Sequence, residues 1–170
     1  MLPSMPVRTN VTRLLDARGI AYTPVTYDAT RFHSAEEVAA LIGVPAARVY
    51  KTIVVLRADR TGRPLLVLVP GDRAVDLKRL AAALGEKKLR AATQREAEAL
   101  TGLQVGGISA LALLHRRFEV YLDRSAERWA EDGIYVSGGQ RGLSICLRPA
   151  DLLALTGGRT VDAAGPPPSG

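Results

Sequence analysis

Tyr50-Lys51-Thr52-Ile53-Val54-Val55-Leu56-Arg57 and Pro64-Leu65-Leu66-Val67-Leu68-Val69-Pro70 decide how this chain folds. Both are short apolar runs, and Asp59-Arg60-Thr61-Gly62 between them is a turn, so the pair reads as a β-hairpin. Ile53 to Leu56 and Leu65 to Val69 are apolar throughout, which marks strands buried on both faces. Upstream, Thr9-Asn10 caps a helix carrying Val11, Leu14 and Leu15 that stops at Gly19. Ala21 to Tyr27 then reads as a strand, at a sheet edge because it contains Pro24. Ser34-x-x-Glu37 is a capping box before Val38, Leu41 and Ile42, ended by Gly43.

Downstream, Asp76 caps a helix through Leu77, Leu80, Ala81 and Leu84 to Gly85, and Lys87-Lys88-Leu89-Arg90 is a short basic segment that can extend. Thr93-x-x-Glu96 opens a further helix that closes at Gly102. Phe118 to Leu122 reads as a strand and Ser125 to Ala130 as a short helix. Ile134 to Ser137 and Leu143 to Arg148 flank Gly138-Gly139 as a second hairpin, and Pro149 to Leu155 is a helix with proline in its first turn. Strands and helices follow one another without βαβα order, so the expectation is a single mixed α/β (α+β) domain over residues 7–162. Residues 163–170 read as a flexible Pro/Gly tail.

At 170 residues the chain is long enough for one sizeable core. A net charge of +6 favours an anionic partner such as RNA, while 5% aromatic residues argue against a broad stacking platform. Cys146 is the only cysteine, so no intramolecular disulfide forms and a reducing cytosol is compatible. No stretch approaches a membrane span and the N-terminus lacks the apolar core of a signal peptide, so a cytoplasmic protein without a membrane partner is expected.

The ordinary catalytic inventory is thin. Cys146 lies between Ile145 and Leu147 as a packed or inert thiol, and His33 and His115 share no metal-ligand spacing with it, so no metal or cofactor is expected. Asp72 and Asp76 are turn and cap residues first. Lys51, at the mouth of an apolar strand, either points into a cleft, where it can hold a phosphate or a carbonyl oxygen, or ends in solvent. Val105-Gly106-Gly107-Ile108-Ser109 is neither a Walker loop nor a nucleophile elbow. It is a tight turn before a strand or a loop whose backbone N–H groups cradle an oxyanion. Ser137-Gly138-Gly139-Gln140-Arg141-Gly142 is a hairpin turn or an anion site in which Ser137 offers a hydroxyl and Arg141 a charge.

Taken together, Val49-Tyr50-Lys51-Thr52, Gly102-Leu103-Gln104-Val105-Gly106-Gly107-Ile108-Ser109 and Tyr135-Val136-Ser137-Gly138-Gly139-Gln140-Arg141-Gly142 resemble, in order and spacing, the signature segments of the YbaK/EbsC family. The resemblance runs over residues 10–160. It implies a mixed, partly barrel-like sheet surrounded by helices, and an aminoacyl-tRNA deacylase that edits mischarged tRNA in trans, with Cys-tRNA(Pro) as substrate. It implies aminoacylated tRNA and a prolyl-tRNA synthetase as partners. It also implies a cleft for the aminoacylated 3′ adenosine, in which Lys51 positions the substrate and the Gly106 backbone stabilises the oxyanion. Tyr27, Gly107, Ile108, Ser109, Ser137, Gly138, Gly139 and Arg141 would bind the substrate. In the branch that acts on Cys-tRNA(Pro) the substrate's own thiol attacks the ester, which suits the thin inventory. A deacylase for alanine, serine or threonine, or a non-catalytic RNA or aminoacyl-adenosine binding module, are the alternatives. The chain departs from the family pattern at Ala110 and Ala112, where family members often continue Ile-Ser-Pro-x-Gly, and at Gln140, where a basic residue is common.

Overall fold

The computed structural model of the chain describes residues 7–59 and 61–166. Residues 1–6, Arg60 in the first hairpin turn, and 167–170 of the tail lie outside the described residues.

Helices form where the capping signals stand. They are α1 (Asn10–Ala17), α2 (Ala35–Ile42), α3 (Leu77–Leu84), α4 (Gln94–Thr101) and α5 (Pro149–Thr156). Ser34 Oγ accepts the Glu37 N–H and Glu37 accepts the Ser34 N–H, and Thr93 and Glu96 do the same at α4. Such caps are worth about 1 kcal/mol each.

The strands are β1 (Thr23–Thr26), β2 (Tyr50–Arg57), β3 (Leu65–Pro70), β4 (Leu89–Ala91), β5 (Glu119–Asp123), β6 (Ile134–Ser137), β7 (Leu143–Leu147) and β8 (Arg159–Val161). They make a three-stranded sheet, β1-β7-β6, and a five-stranded one, β4-β2-β3-β5-β8. The two expected hairpins, β2/β3 and β6/β7, are both antiparallel, with Lys51 opposite Val69 and Ser137 opposite Ser144. β5 joins β3 in parallel, and β8, which the sequence pattern did not reveal, joins β5 in parallel. The run after Gly106-Gly107 is a 3-10 turn, Leu111–Leu113, and the expected helix at 125–130 is a 3-10 helix, Arg124–Trp129.

The sheets are not closed into a barrel, which corrects the partly barrel-like expectation. β2 is held by β3 along one side and by β4 at its far half, and the ladder contact with the other sheet is the parallel bridge of Val49, just before β2, to Tyr135. β3 is buried along its whole length, as its composition predicts. Leu66 and Leu68 pack with Tyr50, Val54, Val136 and Ile145 between the sheets, while Leu65, Val67 and Val69 pack with Val55 under Leu80 and Ala81 of α3. Alternation along one strand therefore feeds two cores.

The chain stays pinned beyond β8. Asp123 accepts the N–H groups of Ala163 and Ala164 at 2.9 and 2.8 Å, and Gly165 donates to the Ala74 carbonyl. Residues 163–165, which composition places in the tail, are thus held against the sheet. Burial pushes the Asp123 carboxyl up, but bonds from Ser125, Ala163 and Ala164 outweigh it and leave the group below its ordinary 3.8. A lowered carboxylate stabilises the fold above its unfolded value and loses that contribution as pH falls through the folded one. Asp123→Asn is expected to cost about 1–2 kcal/mol at neutral pH. The difference from the parent in thermal melts is expected to shrink below pH 3.8. Equal melting temperatures at neutral pH would show that the clamp contributes nothing.

Candidate active site

A cavity of about 420 Å³ opens where β2 leaves β4. β4 pairs only from Val55 onward, and Ala92 just beyond it donates to the Val54 carbonyl. Alternate residues of a strand present N–H and C=O to the same side, so Thr52 directs its backbone groups to this unpaired edge. The walls come from the start of β2, the 27–34 loop and α2, the start of α4, the Gly106 turn, and Val136, Ser137 and Ser144 of the smaller sheet.

Lys51 takes the cleft option of its two readings. Its Nζ donates to the Gly71 carbonyl at 3.4 Å, at the edge of hydrogen-bonding range, so the ammonium retains donors for a ligand. Burial pushes the Lys51 amine below the 10.5 of a free lysine, and the negative charges of Glu36 and Asp72 oppose that shift. The result is a half-buried cation on a cavity wall.

The two glycine stretches dock against each other. A Cβ on Gly107 would lie 3.0 Å from both Arg141 N and Gln140 Cα, and one on Gly106 would lie 3.2 Å from Arg141 Nε. Arg141 Nε donates to the Val105 carbonyl at 2.7 Å, while Glu98 accepts the Val105 N–H. Most amides of the glycine pairs are used in this arrangement. Gly107 N–H bonds the Gln104 carbonyl, Gly138 N–H the Leu143 carbonyl, and Gly139 N–H the Ser137 hydroxyl. The Gly106 N–H alone among the four has no partner among the described residues, at a φ of +94° that favours glycine.

Of the residues named from sequence, Tyr27, Lys51, Gly106, Ile108 and Ser137 line the cavity. Gly107, Ser109, Gly138, Gly139 and Arg141 stand behind that lining. Ser109 is buried and its Oγ accepts the Leu111 N–H. Gly138 is pressed on Leu143, and Gly139 on Ala112. Ala112, one of the departures from the family pattern, therefore packs between the loops rather than on the cavity wall.

Thr52 and Ser144 also line the cavity and were not singled out from sequence, while His33, set aside there as a metal ligand, is in the lining too. Thr52 Oγ1 is buried without a hydrogen-bond partner. Ser144 lies across the ladder from Ser137. His33 Nε2 lies 3.0 Å from the Asp28 carbonyl and Nδ1 3.4 Å from the Glu37 carboxylate, with Tyr27 edge-on to the ring. His33 is thus committed to the loop and α2, and no serine of the lining has it as a base. Cys146 is half-exposed on β7, with Arg48 Nη2 at 3.9 Å from its Sγ, and is not part of this lining. A second cavity, of about 430 Å³, lies at the far end of the larger sheet. Its charges are largely paired internally, Arg57 with Glu86 and Glu119 and Arg124 with Asp162.

The sequence model described as an aminoacyl-tRNA editing domain matches residues 30–155. The chain is 35% identical over 153 residues to an Enterococcus faecalis protein named as a candidate Cys-tRNA(Pro)/Cys-tRNA(Cys) deacylase, EbsC; the match covers 89% of this chain and 90% of the relative. It is 43% identical over 74 residues to a proline–tRNA ligase of Nitratidesulfovibrio vulgaris, a match covering 44% of this chain and 12% of the ligase. Among solved structures it is similar to a candidate trans-editing enzyme for prolyl-tRNA synthetase, with a TM-score of 0.71 and 25% identity over 94% of this chain and 99% of that one.

Proposed function

The chain belongs to the aminoacyl-tRNA editing domain family, and from that membership we propose that it hydrolyses the ester of mischarged tRNA, with Cys-tRNA(Pro) as the substrate. The observation that carries this reading is that Lys51 and Gly106, whose N–H has no partner among the described residues, line one cavity. An ester carbonyl between them would gain negative charge as the tetrahedral intermediate forms, and a fixed amide and a half-buried cation stabilise that charge. The carbonyl carbon then loses its bond to the ribose oxygen, which takes up a proton, and the amino acid leaves. Attack by water releases the free amino acid directly, whereas attack by the substrate's own thiol forms a C–S bond and releases the cyclic thioester, which water then opens; both suit a lining whose serines have no histidine base. Partners under this reading are aminoacylated tRNA and a prolyl-tRNA synthetase, and the site of action is the cytoplasm. Among the described residues no helix is long and apolar enough to cross a membrane.

A panel of Cys-, Ala-, Ser- and Thr-charged tRNAs tests the proposal. Cys-tRNA(Pro) is expected to lose its ester fastest. Rates equal to buffer for all four would leave only the binding-module alternative.

Two further outcomes follow from the site. Buffer-corrected activity is expected to fall on the alkaline side with a midpoint below 10.5, because burial lowers the Lys51 amine and the charged form is the useful one. An alkaline limb that persists unchanged in Lys51→Arg would assign it to another group. Thr52→Val, which keeps the shape and removes the orphaned hydroxyl, is expected to leave stability equal or higher by about 1 kcal/mol while lowering kcat/KM. Full activity in that variant would take Thr52 out of substrate contact.

A further inference from the structure

Asp72 stands behind the cavity lining, and its Oδ1 is buried without a hydrogen-bond partner among the described residues. A buried carboxylate oxygen without a donor is costly unless positive charge lies near it. The turn that carries Asp72 is fixed. Arg73 N–H donates to the Pro70 carbonyl at 3.0 Å, and Gly71 N–H is shared between the Ala46 and Val49 carbonyls at 3.2 and 2.6 Å. A Cβ on Gly71 would lie 3.0 Å from the Ala35 Cβ and 3.2 Å from the Ala46 carbonyl oxygen, so the turn is wedged against the first residue of α2. The carbonyl of Gly71, one residue before Asp72, is the group to which Lys51 Nζ donates.

From this geometry we infer that Asp72 is a positioning residue for Lys51: a buried negative charge that holds the ammonium charged and over the Gly71 turn. A contact ion pair would occupy the ammonium's donors. Lys51 makes none among the described residues, so an anion set beyond contact keeps the charge and leaves the donors for a ligand. Two anions bear on Lys51, Glu36 at the start of α2 more strongly and Asp72 after it. They differ in surroundings. Glu36 is exposed, so salt screens it, whereas the buried Asp72 oxygen is screened much less. The other titratable side chains of the lining are Tyr27, His33 and Tyr50, whose hydroxyl is bonded to Ser125. The bearing of Asp72 on the reaction rests on the deacylase reading; its bearing on the Lys51 charge does not.

An NMR titration of the lysine Cε signals reads that charge without requiring hydrolysis. Lys78, Lys87 and Lys88 are the other lysines, and Lys51→Arg identifies the Lys51 signal. Asp72→Asn, similar in shape but uncharged, is expected to move the Lys51 titration to lower pH, because losing a nearby negative charge disfavours the ammonium. Asp72→Ala is expected to do the same. Both shifts are expected to persist at about 1 M salt, where the shift caused by Glu36→Gln fades. The alkaline limb of deacylation is expected to move to lower pH in the same two Asp72 variants. An unmoved Lys51 titration in both, or a shift that salt abolishes, would overturn the inference. A shifted titration with an unmoved alkaline limb would overturn the positioning role in the reaction. The shift without ester hydrolysis on any charged tRNA would instead remove the deacylase reading and leave the link between Asp72 and Lys51 standing.

Discussion

Lys51→Ala is expected to lower the single-turnover deacylation rate by roughly 100-fold or more, the scale seen when one donor to a developing oxyanion is removed. The loss is expected in the chemical step more than in binding, because tRNA affinity is spread over many phosphate contacts. Folding is expected to survive. The Lys51 ammonium makes one long bond, to the Gly71 carbonyl, and its burial costs solvation, so its removal relieves a penalty. The alanine variant is therefore expected to melt at or near the parent temperature with a much lower rate. A Lys51→Ala protein that melts normally and deacylates at the parent rate would take Lys51 out of the reaction.

Gly107→Ala is expected to have the second large effect, for a different reason. Its φ is not in the left-handed region, so a side chain is not excluded by backbone conformation. The difficulty is space: the new methyl group would lie 3.0–3.1 Å from main-chain atoms of Gln140 and Arg141, which cannot rotate away as a side-chain tip can. The two glycine stretches would have to separate, at about 1–3 kcal/mol in stability. Separation also displaces the adjoining Gly106 N–H, and misplacing an aligning group by about 1 Å can cost on the order of 100-fold in rate. Melting temperature and deacylation are expected to fall together. A stable, fully active Gly107→Ala would mean that contact between the stretches does not set the site.

Local signals carried much of the fold. The Ser34/Glu37 and Thr93/Glu96 boxes and the glycines at 43, 85 and 102 give the ends of helices directly, because capping is settled within one turn. The β2/β3 hairpin was legible because its strands are apolar on both faces and joined by a short turn. β8 was not: Arg159-Thr160-Val161 is too short for a periodic pattern, and its parallel pairing with β5 is a tertiary event. The site divides along the same line. Lys51 and Gly106 stood out through their neighbours in sequence. That Gly138 and Gly139 have their N–H groups already bonded, and that Arg141 reaches the Val105 carbonyl, depends on two turns meeting across the fold.

Under the proposed function, one cavity walled by Lys51 and the Gly106 turn holds the aminoacyl ester. A crystal structure with a non-hydrolysable amide analogue of 3′-cysteinyl adenosine tests it most directly. The amide carbonyl oxygen is expected within hydrogen-bonding distance of the Gly106 N–H and the Lys51 Nζ. The analogue bound instead in the far cavity beside Arg57 and Arg124, or at the surface with the Lys51 cavity empty, would contradict it.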